Sequence, residues 1–264
     1  MSIDQRARRY AIVSGKGGVG KTVITANLAA ALARAGHRTL VLDADLGLAN
    51  LDVMLGVETT ATLQDALADS CGIGEVLVHT RAGFDLLPAG SGSLETTLLT
   101  TDLASKLQDV LKQLESCYDV MLFDAGAGVG EVVLHFARIA DEIVLVVTPE
   151  PTSLMDAYAT VKILALRFGC RDFRLIVNQV DPDRLEATGL AVARHLQRVA
   201  TRFLAIEGNA AVRIHHAGSL PSDPAVGRAI SQRRLLLETE PSSPVASTIA
   251  QLADSFCVPT PAAQ

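Results

Sequence analysis

The chain has 264 residues, 49% hydrophobic but only 4% aromatic and without tryptophan, so a full core is available and it must be aliphatic. Its 23 Lys and Arg stand against 29 Asp and Glu, a net charge of −6 that argues against general nucleic-acid binding, which needs a basic footprint. The four cysteines, Cys71, Cys117, Cys170 and Cys257, make no Cys-x-x-Cys pair for a zinc or iron–sulfur site, and neither a signal core nor an apolar run of about 18 residues occurs, so a cytoplasmic protein with incidental thiols is expected.

Residues 1–9 read as a short tail, 10–256 as one domain and 257–264 as a second tail. An apolar strand, Tyr10–Ser14, runs into Gly15-Lys16-Gly17-Gly18-Val19-Gly20-Lys21-Thr22, and a helix leaves it from Val23 to about Ala35. Gly15, four residues, then Gly20-Lys21-Thr22 is the spacing of a phosphate-binding P-loop. Its glycines let backbone N–H groups turn inward around phosphate oxygens, and the helix N-terminus adds partial positive charge. Lys21 is expected to reach the β- and γ-phosphates, and the Thr22 hydroxyl to ligate Mg²⁺. Lys16 is not required by a P-loop; its charge points along the outer wall of the loop.

A second strand, Thr39–Asp43, ends in Asp43-Ala44-Asp45, two carboxylates on the same side of an extended segment. Such groups hold Mg²⁺ and position water for in-line attack. Asp52 reads equally as a helix cap. Leu103, Leu107, Leu111 and Leu114 recur at helical spacing, with Asp102 as their cap. The apolar strand Val120–Phe123 ends in Asp124, a Walker-B pattern whose carboxylate is expected to hold Mg²⁺ through water; Gly126, Gly128 and Gly130 follow as a movable segment. Further strands are read at Ile143–Thr148 and Phe173–Asn178, with helices over about Ser153–Phe168, where Ser153 fits as the cap, and Arg184–Arg202. Arg194, Arg198 and Arg202 form a basic stripe on the latter, read as a solvated face. Ser243-Pro244 starts a last helix. The vicinal His215 and His216 diverge on a helix or a strand and make no metal pattern. Strands alternating with helices predict an α/β, three-layer P-loop NTPase fold, a mostly parallel sheet with helices on both faces and ligands beyond the carboxyl ends of its strands.

Lys16-Gly-Gly-Val-Gly-Lys-Thr22 resembles the deviant P-loop of the MinD/ParA ATPases. The resemblance implies a weak Mg²⁺-dependent ATPase that dimerises on ATP, with Lys16 crossing to the partner's phosphates. It implies nucleotide contacts from Gly15, Gly17, Gly18, Val19, Gly20, Lys21, Thr22 and Val23, and Mg²⁺ held by Thr22, Asp43 and Asp124. Asp45 becomes the residue that orients the attacking water. Asn178 becomes the adenine reader, its amide offering both donor and acceptor, with Pro221 and Asp223 in the adjoining loop.

Asp43–Asp52, Pro88–Gly92 and Pro149–Tyr158 resemble the FlhG/FleN flagellar-number regulators; by resemblance to the MinD-like dimer, Glu150 would reach the partner's ribose and Asp156 would share that interface. That branch implies an anti-activator acting with the FlhF GTPase and a FleQ-like transcription activator, in the cytoplasm or at the cell pole, with no direct nucleic acid and at most peripheral membrane contact. The departures are Ala125, where related proteins often carry a threonine, so that a hydroxyl next to the γ-phosphate is expected to be missing, with a consequence for the hydrolysis rate and none for nucleotide binding; an N-terminus in which Asp4-Gln5 is followed at once by arginines and a strand; and a C-terminus whose two prolines and lack of Lys or Arg exclude a basic membrane helix. A division-site regulator, a DNA-segregation ATPase, a metal-cluster carrier and a non-catalytic anti-activator remain the alternatives.

Overall fold

The computed structural model describes residues 6–44, 51–88, 90, 101–204 and 211–256. Asp45, the Asp4-Gln5 element, Cys257 and most of Pro88–Gly92 therefore lie outside the described residues. Among the described residues eight strands form one sheet: β1 (Arg8–Ser14), β2 (Thr39–Ala44), β3 (Val78–His79), β4 (Asp85–Pro88), β5 (Val120–Ala127), β6 (Glu142–Val147), β7 (Asp172–Val180) and β8 (Arg213–Pro221). Their order is β3-β4-β2-β5-β1-β6-β7-β8. Every pairing is parallel except β3 with β4. The central strands are buried on both faces, which is why β2 and β6 read as nearly unbroken aliphatic runs rather than alternating ones.

The helices are α1 (Lys21–Arg34), the short α2 (Leu51–Leu55), α3 (Leu63–Leu67) and α4 (Ile73–Val76), then α5 (Thr101–Glu115), α6 (Glu131–Ile139), α7 (Pro151–Phe168), α8 (Leu185–Leu204), α9 (Pro224–Ser231), α10 (Leu236–Thr239) and α11 (Pro244–Asp254). The two-residue period of β1 sorts them into layers. Tyr10 and Ile12 pack with α1, α10 and α11, whereas Ala11 and Val13 pack with α6, α7 and α8. A third cluster joins α3, α5 and α6 to β2, β4 and β5. The expected three-layer α/β arrangement is therefore present.

Boundaries depart from the sequence expectation for physical reasons. α7 starts at Pro151, with proline in the first turn, so Ser153 is not its cap. Ser153 is instead buried and its Oγ accepts a 3.0 Å bond from the Thr148 N–H, tying the helix to the end of β6. α5 already contains Asp102, which therefore does not precede the helix as a cap. Leu107, Leu111 and Leu114 are buried, as their spacing requires. β5 runs on to Ala127, because Ala127 still pairs with Ser14 of β1. At α11 the Ser243 hydroxyl does cap, accepting from the Ala246 N–H at 3.3 Å, with Pro244 next.

β8 carries His215 and His216, and its interruption by Gly218 hides it from pattern reading. Gly218 packs closely: a Cβ there would lie 2.8 Å from the Leu252 side chain of α11, which would have to shift. His216 is half-buried, its Nε2 2.9 Å from Ser219 Oγ. Burial, opposed only by a backbone bond at Gly218 and the charge of Glu186, holds its imidazole below the ordinary 6.5. Burial acts in the same direction on His135 of α6. The unfolded chain then binds more protons, so this contribution to stability is complete above about pH 6.5 and is lost as pH falls from there toward the folded-state values. Urea midpoints measured between about pH 7.5 and 5.5 should fall with pH, and less steeply in His216→Gln. An identical slope in that variant would remove His216 from the account.

Candidate functional site

Everything chemical gathers at the carboxyl ends of β1, β2, β5, β6 and β7. The opposite end of the sheet is tied by exposed ion pairs such as Arg38–Asp119 and Arg213–Asp172, which solvent screening leaves weak. β1 delivers residues 15–20 to the start of α1, with Gly18 at φ +79 and Gly20 at φ +90, conformations that side-chain-bearing residues adopt with strain. The Gly128 N–H donates to the Ser14 carbonyl at 2.8 Å, and Ser14 Oγ donates to the Lys16 carbonyl at 3.0 Å, bracing the loop from below.

Lys21, almost fully buried, places Nζ 2.9 Å from Asp124 Oδ1. Thr25 Oγ1 donates to the same oxygen at 3.1 Å. Thr25 escaped sequence reasoning, although its place one turn after Lys21 on α1 put both on one helix face. Asp43 and Asp124 are register partners on adjacent strands, so their carboxylates sit side by side. Asp43 Oδ2 accepts from the Leu51 N–H at 3.1 Å. Asp124 Oδ2 is buried without a hydrogen-bond partner among the described residues, and an orphaned buried carboxylate oxygen beside Lys21 is costly unless something fills its coordination. With Thr22 half-buried in the first turn of α1, this donor set suits Mg²⁺, which takes one or two carboxylates with waters and phosphate oxygens. When bound there, the ion would neutralise charge on the β- and γ-phosphates.

Ala125 corrects an expectation. It is fully buried in the cluster with α6 and α7, on the sheet face opposite Asp124. Its methyl belongs to the core, so the missing hydroxyl is not a vacancy beside the phosphates.

Lys16 turns away from Asp124. Its Nζ is 3.1 Å from Glu150 Oε2 and 3.3 Å from Thr152 Oγ1, at the exposed start of α7. Gly15 lies directly under α7: a Cβ on it would come 2.2 Å from the Asp156 carbonyl carbon and 2.6 Å from the Ala157 nitrogen. The P-loop is thus in contact with the helix that also holds Lys16. Asp52 lies inside α2 rather than before it, so it is not its cap; its exposed Oδ1 accepts from the adjacent Val53 N–H at 2.7 Å.

A cleft of 790 Å³ opens from the loop, lined by residues 16–24, Asn178, Gln179 and 220–223. Asn178 Nδ2 donates to the Val19 carbonyl at 2.7 Å. Gln179, at φ +57, donates more weakly to the Gly18 carbonyl at 3.4 Å. Pro221 and Ser222 reach the cleft because the Ser222 N–H bonds the Val180 carbonyl at 2.7 Å. Asp223 is committed to capping α9, its Oδ1 accepting from the Ala225 N–H at 2.8 Å. The far wall is apolar, built by Val226, Ile230, Leu236, Val245 and Ile249. That wall and Gln179 had no local signal, since each comes from a different element.

A glycine-rich loop between a strand and a helix, a lysine on a Walker-B carboxylate and a base-sized cleft beside it define a P-loop nucleoside-triphosphatase. An AAA-domain family model matches residues 7–166. The chain is 36% identical to the antiactivator FleN of Pseudomonas aeruginosa, over 94% of this chain and 87% of that protein. It is 34% identical to the flagellum site-determining protein YlxH of Helicobacter pylori, over 92% and 79% of the two chains. The solved septum site-determining protein MinD complexed with Mg-ADP, from Pyrococcus horikoshii, matches with TM-score 0.74 at 26% identity, over 95% of this chain and 96% of that one. The chain belongs to the MinD/ParA family of P-loop ATPases, in its FlhG/FleN branch. Its nucleotide is ATP and its metal Mg²⁺. No helix among the described residues is long and apolar enough to cross a membrane.

Proposed function

We propose that this ATPase is a dimerisation switch that sets flagellar number or placement, restraining a FleQ-like transcription activator and acting with an FlhF-type GTPase. The observation that carries this reading is the near end-to-end similarity to an antiactivator and a flagellum site-determining protein. The placement of Lys16 supports the dimer. Its ammonium stands at the exposed rim, away from its own Asp124, where a second subunit's phosphates could meet it. In the dimer Lys16 of each subunit reaches across, Glu150 exchanges Lys16 for the partner's ribose, and association is favoured only to the extent that the nucleotide contacts both chains. Asp45 orients the attacking water, so Asp45→Ala should bind ATP and hydrolyse it poorly; wild-type turnover in that variant would refute the assignment.

Asn178 reads the base with the end of its amide that the loop leaves over. Nδ2 is given to the Val19 carbonyl, so Oδ1 faces the base as an acceptor, matching the exocyclic amine of adenine and opposing the carbonyl of guanine. Asn178→Ala should lower the preference for ATP over GTP by about tenfold, measured by competition calorimetry. An equal loss for both nucleotides would make Asn178 a brace for the loop alone.

Deleting the gene and counting flagella by electron microscopy, with minicells scored in the same fields, tests the process. A changed count with normal division supports the flagellar role. Minicells with unchanged flagella would replace it with the division-site reading that the likeness to MinD keeps open.

A further inference from the structure

Next to the nucleotide end, α7 and α8 leave a groove of 460 Å³, lined by Pro151, Leu154, Met155 and Tyr158 on one side and His195 and Val199 on the other. Its rim exposes more apolar surface than a solvated helix pair needs. Met155 is 71% exposed and Phe203, which meets Tyr158 edge-on at 6.3 Å, is 55% exposed. Along the outer side of the groove runs the stripe of Arg194, Arg198 and Arg202, all exposed. Among the described residues none of the three meets a carboxylate, whereas Arg38, Arg213 and Arg228 each hold one with two nitrogens. Arg194 bonds only the Leu190 carbonyl of its own helix, and Arg202 lies over the ring of Phe203. Like charges four residues apart repel along a helix and weaken it. The acidic chain therefore keeps an unneutralised basic row beside an uncovered apolar groove.

We propose that this groove docks an amphipathic helix of a partner protein, its apolar ridge seated between α7 and α8 and a row of Asp or Glu on its flank paired with Arg194, Arg198 and Arg202. The charges choose the flank: guanidinium forks match carboxylates in a bidentate way. The shape chooses a helix over a lipid surface, because a concave groove receives a ridge of side chains spaced i, i+3, i+4 and i+7, while a bilayer presents none. Methionine adapts to such a ridge. α8 offers about 30 Å of length, room for a helix of about 18 residues. Glu150 and Thr152, the residues that hold Lys16, stand at the same end of α7, so the bound helix lies beside the nucleotide rim. The proposal stands whichever process the ATPase serves.

The test uses a fluorescent amphipathic peptide of about 18 residues, with leucines at helical spacing and glutamates on one flank, and a twin in which lysines replace the glutamates. Anisotropy on the full chain should give a Kd of about 10 µM for the acidic peptide and no binding of the twin. Arg198→Glu and Met155→Ser, both at exposed positions, should each weaken the complex about tenfold while leaving ATP affinity and thermal midpoint unchanged. Failure of the acidic peptide to bind at about 1 mM, equal binding of the twin, or indifference to both substitutions overturns the proposal. Co-sedimentation with phosphatidylglycerol vesicles that is lost in Arg198→Glu, with no peptide bound, overturns it in favour of a lipid surface.

Discussion

Gly15→Ala is expected to cost the fold about 3 kcal/mol and to weaken ATP binding by more than about tenfold. The methyl group has nowhere to go. It would stand 2.2 Å from the Asp156 carbonyl carbon and 2.4 Å from its oxygen, and these are backbone atoms of an 18-residue helix. α7 cannot retreat, because Ala157, Thr160, Val161 and Leu164 are fully buried under it. The P-loop must then move, and with it the N–H groups that face phosphate. For a domain of this size the loss amounts to a fall in thermal midpoint of about 10 °C. Gly17→Ala is the control: a Cβ there meets nothing within 4 Å, so its stability should stay within about 0.5 kcal/mol of the parent. A Gly15→Ala protein as stable as Gly17→Ala would mean that α7 does not press on the loop.

Lys21→Met should abolish nucleotide binding and also destabilise the empty protein by about 3 kcal/mol. The second effect follows from Asp124. With Lys21 gone its carboxylate remains buried, one oxygen bonded to Thr25 and the other without a partner among the described residues. Removing one member of a buried pair leaves the other charge uncompensated, which costs more than the pair itself contributes. Lys21→Met combined with Asp124→Asn should therefore recover most of the stability while remaining unable to bind ATP. Urea unfolding gives the double-mutant cycle and calorimetry the binding. If the double variant is no more stable than Lys21→Met alone, the buried charge is not the cause of the loss.

These two results separate what is local from what is not. The identity of the loop was legible because its chemistry lies within eight successive residues, 15–22, whose order alone dictates a glycine turn, a cation and a hydroxyl. Buried parallel strands were legible for a related reason: residues enclosed on both faces must be aliphatic throughout, so β2, β5 and β6 stand out. β3 and β4 are too short to show a period, and β8, at the sheet edge, mixes histidines with a glycine packed against Leu252. Ser153 looked like a cap because caps and buried acceptors use the same hydroxyl; only the position of Thr148 decided between them.

The sequence by itself determined the P-loop, the carboxylate at the end of β5 and the layered α/β class, since each is written in short spacings or in the burial of whole strands, and it indicated the branch of the family by resemblance. Tertiary structure alone decided that Lys21 and Thr25 share one oxygen of Asp124, that Glu150 and Thr152 hold Lys16, that Gly15 lies beneath α7 and that a groove beside three arginines is left uncovered. Those facts join residues far apart in the chain, such as Lys16 and Thr152, 136 positions from each other. A contact at that distance depends on how the sheet orders its strands and on which helix each strand carries, and no local pattern of side chains encodes either.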